Sequence, residues 1–212
     1  MRGGKPYFIQ GAGGTGRMEE LARAGGNSVR TWGADSAQAD LDDAHERGLT
    51  VMMGIWLGHK AYFDYSNADQ NAKQEAMVRD IVTKHKDHPA LLLWGLGNEF
   101  EIDNDNEATW KAIESLGKLV KSIDKNHPTS VVVAEVTEQK IANIKRWAPS
   151  LDVLGINSYA GLQSLPERLK KAGWTKPYVV TEFGPHGTWE VGKTPWGAAL
   201  EQTSTEKAER YR

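Results

Sequence analysis

The sequence predicts an α/β chain folded as a (β/α)₈ barrel, a TIM barrel, that stops before its eighth strand. Short β-rich segments alternate seven times with amphipathic helical segments, which is the order of parallel βα units. Segment 90–94 is apolar and uncharged, as expected of a strand buried on both faces of a parallel sheet. Seven units fit a barrel, which typically needs about 250 residues, better than a doubly wound sheet. We therefore expect residues 1–212 to be one barrel domain, incomplete at its carboxyl end.

The composition excludes several classes of function. A net charge of −2, from 26 basic and 28 acidic residues, gives no electrostatic basis for binding nucleic acid or an anionic membrane. The absence of cysteine excludes disulfides and thiolate metal sites. A mean hydropathy of −0.56, without a long apolar run, predicts no membrane span. Residues 1–6 do not resemble a signal peptide, although we expect the full-length protein to be secreted or periplasmic.

The first βα unit contains a glycine-rich segment that allows two interpretations. A strand is predicted over residues 7–10 and a helix over 18–24, and residues 11–16 between them match GxGxxG. A dinucleotide site would also need an acid at the end of the next strand, 27–32, but the nearest acid is Asp35, beyond that strand. The pattern therefore favours a flexible βα loop, with nucleotide binding as the alternative.

The second and third units supply two candidate side chains for a pocket. Strand 27–32 carries Arg30, which is either placed to point into a pocket or part of a peripheral salt bridge, and a helix follows over 37–47. Strand 49–57 ends near His59, which either lines a pocket or is an ordinary loop histidine. A helix is predicted over 71–86, and His85 and His88 flank the turn at its end. Because no acid or cysteine lies at ligand spacing from them, no metal site is predicted there.

Two apolar strands that are far apart in the chain each lead to a glutamate, and these two glutamates are the main functional signal, although strand 129–135 also has a carboxylate near its end. Strand 90–94 leads into Asn98 and Glu99, and strand 176–184 carries Glu182. A carboxylate at the mouth of a buried strand costs solvation energy, although Glu99 could also be a simple loop or cap residue. Because the carboxyl ends of barrel strands converge on one pocket, the two glutamates should face each other. Two facing carboxylates are the minimum requirement for cleaving a glycosidic bond.

The remaining elements complete the predicted barrel. An acidic segment at 101–107 is interpreted as the solvated start of a helix over 107–124. Strand 129–135, helix 138–147, strand 151–159 and helix 166–172 follow, and strand 151–159 delivers Asn157 and Tyr159. A capping box at 203–206 predicts one more helix.

Four of these segments together resemble the clan A glycoside hydrolases, most closely the family 2-like catalytic barrels. They are Asn98-Glu99, Thr181-Glu182-Phe183-Gly184, and the segments 27–32 and 155–159. The resemblance implies retaining hydrolysis of a β-glycoside, with Glu99 as acid/base and Glu182 as nucleophile. It also implies that Asn98 holds the sugar 2-hydroxyl, and that Arg30 and Tyr159 hold the nucleophile. The eighth strand, which often carries a sugar-stacking tryptophan in that clan, is not found in this sequence.

The chemistry sets further expectations. Retention requires the two carboxyl groups to lie about 5–5.5 Å apart. A cation such as Arg30 should lower the pKa of Glu182. Trp189 and Trp196, in the loop after Glu182, either pack within that loop or stack on the sugar, and Trp189 is the preferred sugar contact because it lies closer to Glu182 in the chain. The predicted partner is a carbohydrate, a β-glycoside or polysaccharide, and no metal or organic cofactor is required. The alternatives are a transglycosylase using the same chemistry and an inactive carbohydrate-binding barrel fragment.

Overall fold

The computed structural model describes residues 2–211, which form one parallel sheet surrounded by helices. Each strand pairs with the next one in the chain, in the order β1 to β7, and all six pairings are parallel. The strands within this range are β1 (Gly11–Gly13), β2 (Ser28–Arg30), β3 (Thr50–Ile55), β4 (Leu91–Asn98), β5 (Thr129–Ala134), β6 (Val153–Tyr159) and β7 (Tyr178–Gly184). The α-helices are α1 (Met18–Arg23), α2 (Ala37–Glu46), α3 (Ala68–His85), α4 (Glu107–Ile123), α5 (Glu138–Trp147), α6 (Leu165–Lys171) and α7 (Ser204–Glu209).

The sheet curves into a nearly closed barrel. A side chain on β7, Glu182, is hydrogen-bonded to Arg30 on β2, although four strands separate β2 from β7 in the sheet. Only a sheet that curls round on itself can bring these strands into contact across its interior. The seven parallel strands and alternating helices confirm the predicted fold class, a TIM barrel without its eighth strand in the described residues.

The core lies on both faces of the sheet. Alternate side chains of a strand point to opposite faces. One set packs with the helices in the large outer core, which includes Trp94, fully buried with its indole N–H donating to Asp124 over 2.8 Å. The other set forms a small cluster inside the barrel, made by Met52, Leu93 and Val132. This inner packing lies below the carboxyl ends of the strands, where the pocket of a TIM barrel is formed.

Several helices begin at a polar residue that caps their free N–H groups. The side chains of Asn67, Asn106 and Thr137 accept hydrogen bonds from the first turns of α3, α4 and α5. Thr203 and Glu206 form the predicted capping box of α7. These caps set the points at which the loops from the strand ends turn into helices.

The first strand differs from its prediction: it is Gly11–Gly13, not residues 7–10. The side chain of Asn27 binds the backbone of residues 8 and 10, donating to one carbonyl over 2.8 Å and accepting from one N–H over 2.9 Å. The glycines then allow close packing, because a Cβ at Gly11 would lie 2.5 Å from the carbonyl oxygen of Ser28. Two glycines of the GxGxxG match therefore lie in a strand, which removes the structural basis for the nucleotide alternative.

Candidate active site

Glu182 lies at the centre of a hydrogen-bonded cluster at the carboxyl end of the barrel. Its Oε1 accepts hydrogen bonds from Nη1 of Arg30 (2.8 Å) and from the indole Nε1 of Trp32 (2.9 Å). Its Oε2 accepts a hydrogen bond from the hydroxyl of Tyr159 (2.7 Å). Arg30 and Trp32 come from β2 and the loop after it, and Tyr159 comes from β6, so donors from two sides of the barrel fix the carboxylate.

These donors keep Glu182 ionised. Burial alone would raise the pKa of this half-buried carboxyl, but the hydrogen bonds from Arg30, Tyr159 and Trp32 outweigh it, so the net pKa of Glu182 is lowered. Burial and the hydrogen bond to Glu182 raise the pKa of Tyr159 to about 12. Tyr159 therefore remains protonated and able to donate at neutral pH. Arg30 therefore lowers the pKa of Glu182, as predicted from the sequence.

The end of β4 has an irregular backbone that presents Asn98 and Glu99. The register between β4 and β5 shifts after Leu96, Gly97 has φ of 74°, and Glu99 has φ of 50°. A non-glycine residue in this left-handed region costs about 1–3 kcal/mol and is retained where surrounding contacts enforce it. One such contact is the hydrogen bond from the Glu99 N–H to the carbonyl of Val132 on β5 (3.0 Å). This strained backbone turns the Glu99 side chain away from the direction that a regular strand would give it.

Arg30 and Asn157 link the two glutamates. Arg30 donates to Glu182 and, over 2.5 Å, to Oδ1 of Asn98. Nδ2 of Asn157 donates to Oε1 of Glu99 (2.7 Å) and to Oδ1 of Asn98 (3.3 Å). Both glutamates therefore belong to one continuous network at one end of the barrel.

His59 and Trp189 lie at the edges of this network. The ring of His59 stacks on Trp56, with centroids 4.8 Å apart. Burial lowers the pKa of His59, while the charge of Glu99 and the backbone carbonyl of Asn98 act in the opposite direction. Trp189 meets Tyr159 edge to face at 5.3 Å and is 70% exposed. The structure thus places all eight predicted site residues at the carboxyl end of the barrel.

Two members of the network were not predicted as site residues. Trp32 binds Glu182 directly, and Thr181 donates its hydroxyl to Oδ1 of Asn157 over 2.7 Å, which fixes the orientation of that amide. Trp32 is two residues after Arg30, and residues two apart on a strand share a face. The two-residue spacing from Arg30 therefore predicts that Trp32 faces the same site, whereas no feature of the sequence predicts a role for Thr181.

The prediction that the acidic segment at 101–107 is solvated was wrong for Glu101. This residue is 1% exposed, and its Oε1 accepts hydrogen bonds from Nζ of Lys140 (2.8 Å) and the backbone N–H of Ala134 (2.9 Å). Burial raises the pKa of Glu101, and the charge of Lys140 opposes this effect. A buried carboxylate requires such a partner, and here the pair ties the β4 loop to β5 and α5.

Residues 2–211 contain neither a cluster of metal-ligating side chains nor a membrane-spanning helix. No group of three or more His, Asp or Glu residues in that range could hold a metal ion. None of the helices described there is both long enough and apolar enough to cross a membrane.

Comparison with known proteins identifies the family. Residues 26–206 match the family described as "Glycosyl hydrolases family 2, TIM barrel domain". The chain belongs to this family. Membership of glycosyl hydrolase family 2 confirms the resemblance predicted from the four sequence motifs.

Individual family 2 relatives are distant and much longer. A putative beta-glucuronidase of Formosa agariphila is 27% identical over 177 residues, which cover 82% of this chain and 15% of that protein. A beta-glucuronidase of Paenibacillus borealis is 22% identical over 208 residues, covering 87% of this chain and 34% of that protein. The structure of a beta-D-glucuronidase from Dictyoglomus thermophilum superposes with a TM-score of 0.72 at 17% identity, covering 98% of this chain and 41% of that one. The chain therefore spans less than half the length of these relatives, and the structural likeness shows the fold.

Proposed function

We propose that this chain carries the catalytic centre of a retaining β-glycoside hydrolase, with Glu182 as nucleophile and Glu99 as acid/base. The observation that carries the proposal is the hydrogen-bond network around the two glutamates. Three donors hold Glu182 ionised, and Arg30, Asn98 and Asn157 connect it to Glu99. A retaining glycosidase requires two carboxyl groups with different tasks, one ionised and one able to deliver a proton.

The first chemical step forms a glycosyl-enzyme. A carboxylate oxygen of Glu182 attacks the anomeric carbon, the bond from that carbon to the leaving oxygen breaks, and Glu99 transfers its proton to that oxygen. The negative charge of Glu182 disappears in the resulting ester, and a negative charge appears on Glu99. Arg30 and Tyr159 orient Glu182 before attack, because their hydrogen bonds fix both carboxylate oxygens.

The second step releases the sugar. Glu99, now a carboxylate, accepts a proton from water, and the resulting hydroxide attacks the anomeric carbon and displaces Glu182. Two displacements at the same carbon retain the β configuration. We assign the NH₂ group of Asn98 to the sugar 2-hydroxyl, because Oδ1 of that amide already accepts from Arg30 and Asn157. We assign the exposed face of Trp189, beside Tyr159, to the bound sugar ring.

The substrate class is also a proposal. The relatives described above are named as beta-glucuronidases, so β-glucuronides are the first substrates to test, with β-galactosides as the comparison. Assays should use the full-length protein that carries this chain, because the chain spans less than half of each relative.

A slow substrate tests the proposed nucleophile. In 2-deoxy-2-fluoro-β-D-glucuronyl fluoride, the ring fluorine slows both chemical steps. Because fluoride is a good leaving group, the first step still proceeds, so the glycosyl-enzyme ester should accumulate. We expect inactivation with one sugar added to the peptide that contains Glu182, identified by mass spectrometry. For the natural reaction, NMR should show the β anomer as the first product. A first-formed α anomer, or a label on another residue, would contradict the proposal, and a glycosylated acceptor in place of free sugar would identify a transglycosylase.

The pH profile tests the hydrogen bonds to Glu182. Because its pKa is lowered, kcat/KM should persist below the usual titration range of glutamate and fall only as pH drops through that lowered pKa. Tyr159→Phe removes one donor to the charged form, so the pKa of Glu182 should rise and the acid limb should move to higher pH. Tyr178→Phe, which removes a tyrosine hydroxyl at the opposite end of β7, is the matched control and should leave the limb unchanged. An acid limb unmoved in Tyr159→Phe would disprove this role.

A further inference from the structure

The loop after β3 carries an aromatic surface that the proposed reaction does not use. Trp56 is 44% exposed and Tyr62 is 60% exposed, although both are large aromatic side chains. The indole Nε1 of Trp56 donates to the hydroxyl of Tyr62 over 2.9 Å, which fixes the two rings relative to each other. Exposed aromatic rings held in one orientation are typical of ligand-binding surfaces.

This surface is supported from beneath. The imidazole of His59 stacks against one face of the Trp56 indole with an interplanar angle of 18°. Burial lowers the pKa of His59, so the support is an uncharged ring at neutral pH. With one indole face on His59 and its N–H bound to Tyr62, the exposed part of Trp56 is available to a flat apolar partner.

The position of the surface indicates which part of a substrate would reach it. Ile55, directly before Trp56, pairs with Leu96 on β4, three residues before Glu99. Nζ of Lys60 donates to the carbonyl of Asp103 over 2.6 Å, which ties the β3 loop to the loop after Glu99. The surface therefore lies between the ends of β2 and β4 and is tied to the loop after Glu99, whereas Glu182 lies on β7.

We propose that Trp56 and Tyr62 form the leaving-group subsite, a platform for the pyranose ring that is released from the glycosidic bond. The inference rests on the proposed function, in which Glu99 protonates the leaving oxygen, because that oxygen joins the sugar to the group on the Glu99 side. A pyranose presents a flat apolar C–H face for the indole and hydroxyls that the Tyr62 oxygen can bind. Binding energy from this ring would position the bond for cleavage.

Two substrates that share a sugar but differ in leaving group test the platform. β-D-glucuronyl fluoride releases a single atom, whereas a β-D-glucuronosyl-glucose disaccharide releases a ring. In Trp56→Ala, kcat/KM for the disaccharide should fall by about tenfold, while that for the fluoride should stay within about twofold of wild type. The ratio of the two values does not depend on how much of the variant is folded.

Three further variants sharpen the test. Trp56→Phe keeps a flat ring and should retain most of the ratio, and Tyr62→Phe removes the hydroxyl that fixes Trp56 and should give an intermediate loss. Tyr178→Ala removes an aromatic ring of similar exposure from the amino end of β7 and should leave the ratio unchanged. If the ratio is unchanged in Trp56→Ala, as it would be when both substrates lose activity equally, the platform is wrong and the proposed reaction remains intact. A wild-type protein that is not labelled on Glu182 would overturn both.

Discussion

Replacing Glu182 by alanine should lower turnover of β-glycosides by about 10⁴-fold or more, because the variant lacks the carboxylate oxygen that we propose attacks the anomeric carbon. Arg30, Trp32 and Tyr159 all aim hydrogen bonds at the position of Glu182, and in the variant they face an empty volume. Steady-state kinetics with 4-nitrophenyl β-D-glucuronide measure the loss.

Azide separates a missing nucleophile from a damaged fold. In Glu182→Ala, azide can occupy the space left by the carboxylate and attack the anomeric carbon directly. A single displacement inverts the configuration, so the product should be the α-glycosyl azide, which NMR distinguishes from the β form. Recovery of a β-azide, or turnover close to wild type, would show that Glu182 is not the nucleophile.

Glu135 provides the control for this experiment. Glu135 lies directly after β5, and Glu182 likewise lies near the carboxyl end of its strand, β7. The φ of Glu135, 48°, shows backbone strain similar to that of Glu99. Its carboxylate is paired with Arg168, however, and not with the donors around Glu182. Glu135→Gln should therefore keep turnover within a few-fold of wild type, which would show that strand-end glutamates differ according to their partners.

The sequence predicted the parts of the site that lie at or just after the carboxyl ends of apolar β-rich segments. Asn98, Glu99 and Glu182 were found because an uncharged β-rich segment precedes each of them, and strand order then places them at one rim. The four strands from β3 to β6 were placed for the same reason. The first strand was misplaced because its glycines have neither β propensity nor apolar character, and only packing against Ser28 and Trp32 explains them.

The errors within the site have a common physical origin. Glu101 looks like a solvated acid beside Asp103 and Asp105, and its burial depends on Lys140, which lies 39 residues further along the chain. Thr181 matters only because its hydroxyl meets Asn157 on the neighbouring strand. Local composition contains no information about such pairs, since they depend on how strands and helices assemble in three dimensions.

Replacing Glu99 by alanine should have an effect that depends on the leaving group. A poor leaving group such as a sugar needs a proton, which we propose that Glu99 supplies, so kcat/KM for such a substrate should fall roughly 10²- to 10⁴-fold. A 2,4-dinitrophenolate leaves without protonation, so the first step with that glycoside should remain close to the wild-type rate. Rapid-quench kinetics should then show a burst, because the second step still lacks the base that activates water.

Azide should act on this variant with the opposite stereochemistry. In Glu99→Ala the nucleophile is intact, so the glycosyl-enzyme forms and azide then replaces water in the second displacement. The product should therefore be the β-glycosyl azide. Equal losses for the disaccharide and the dinitrophenyl glycoside would argue against an acid/base role. The α-azide from Glu182→Ala and the β-azide from Glu99→Ala would together assign the two carboxylates, because one displacement inverts the anomeric carbon and two restore it.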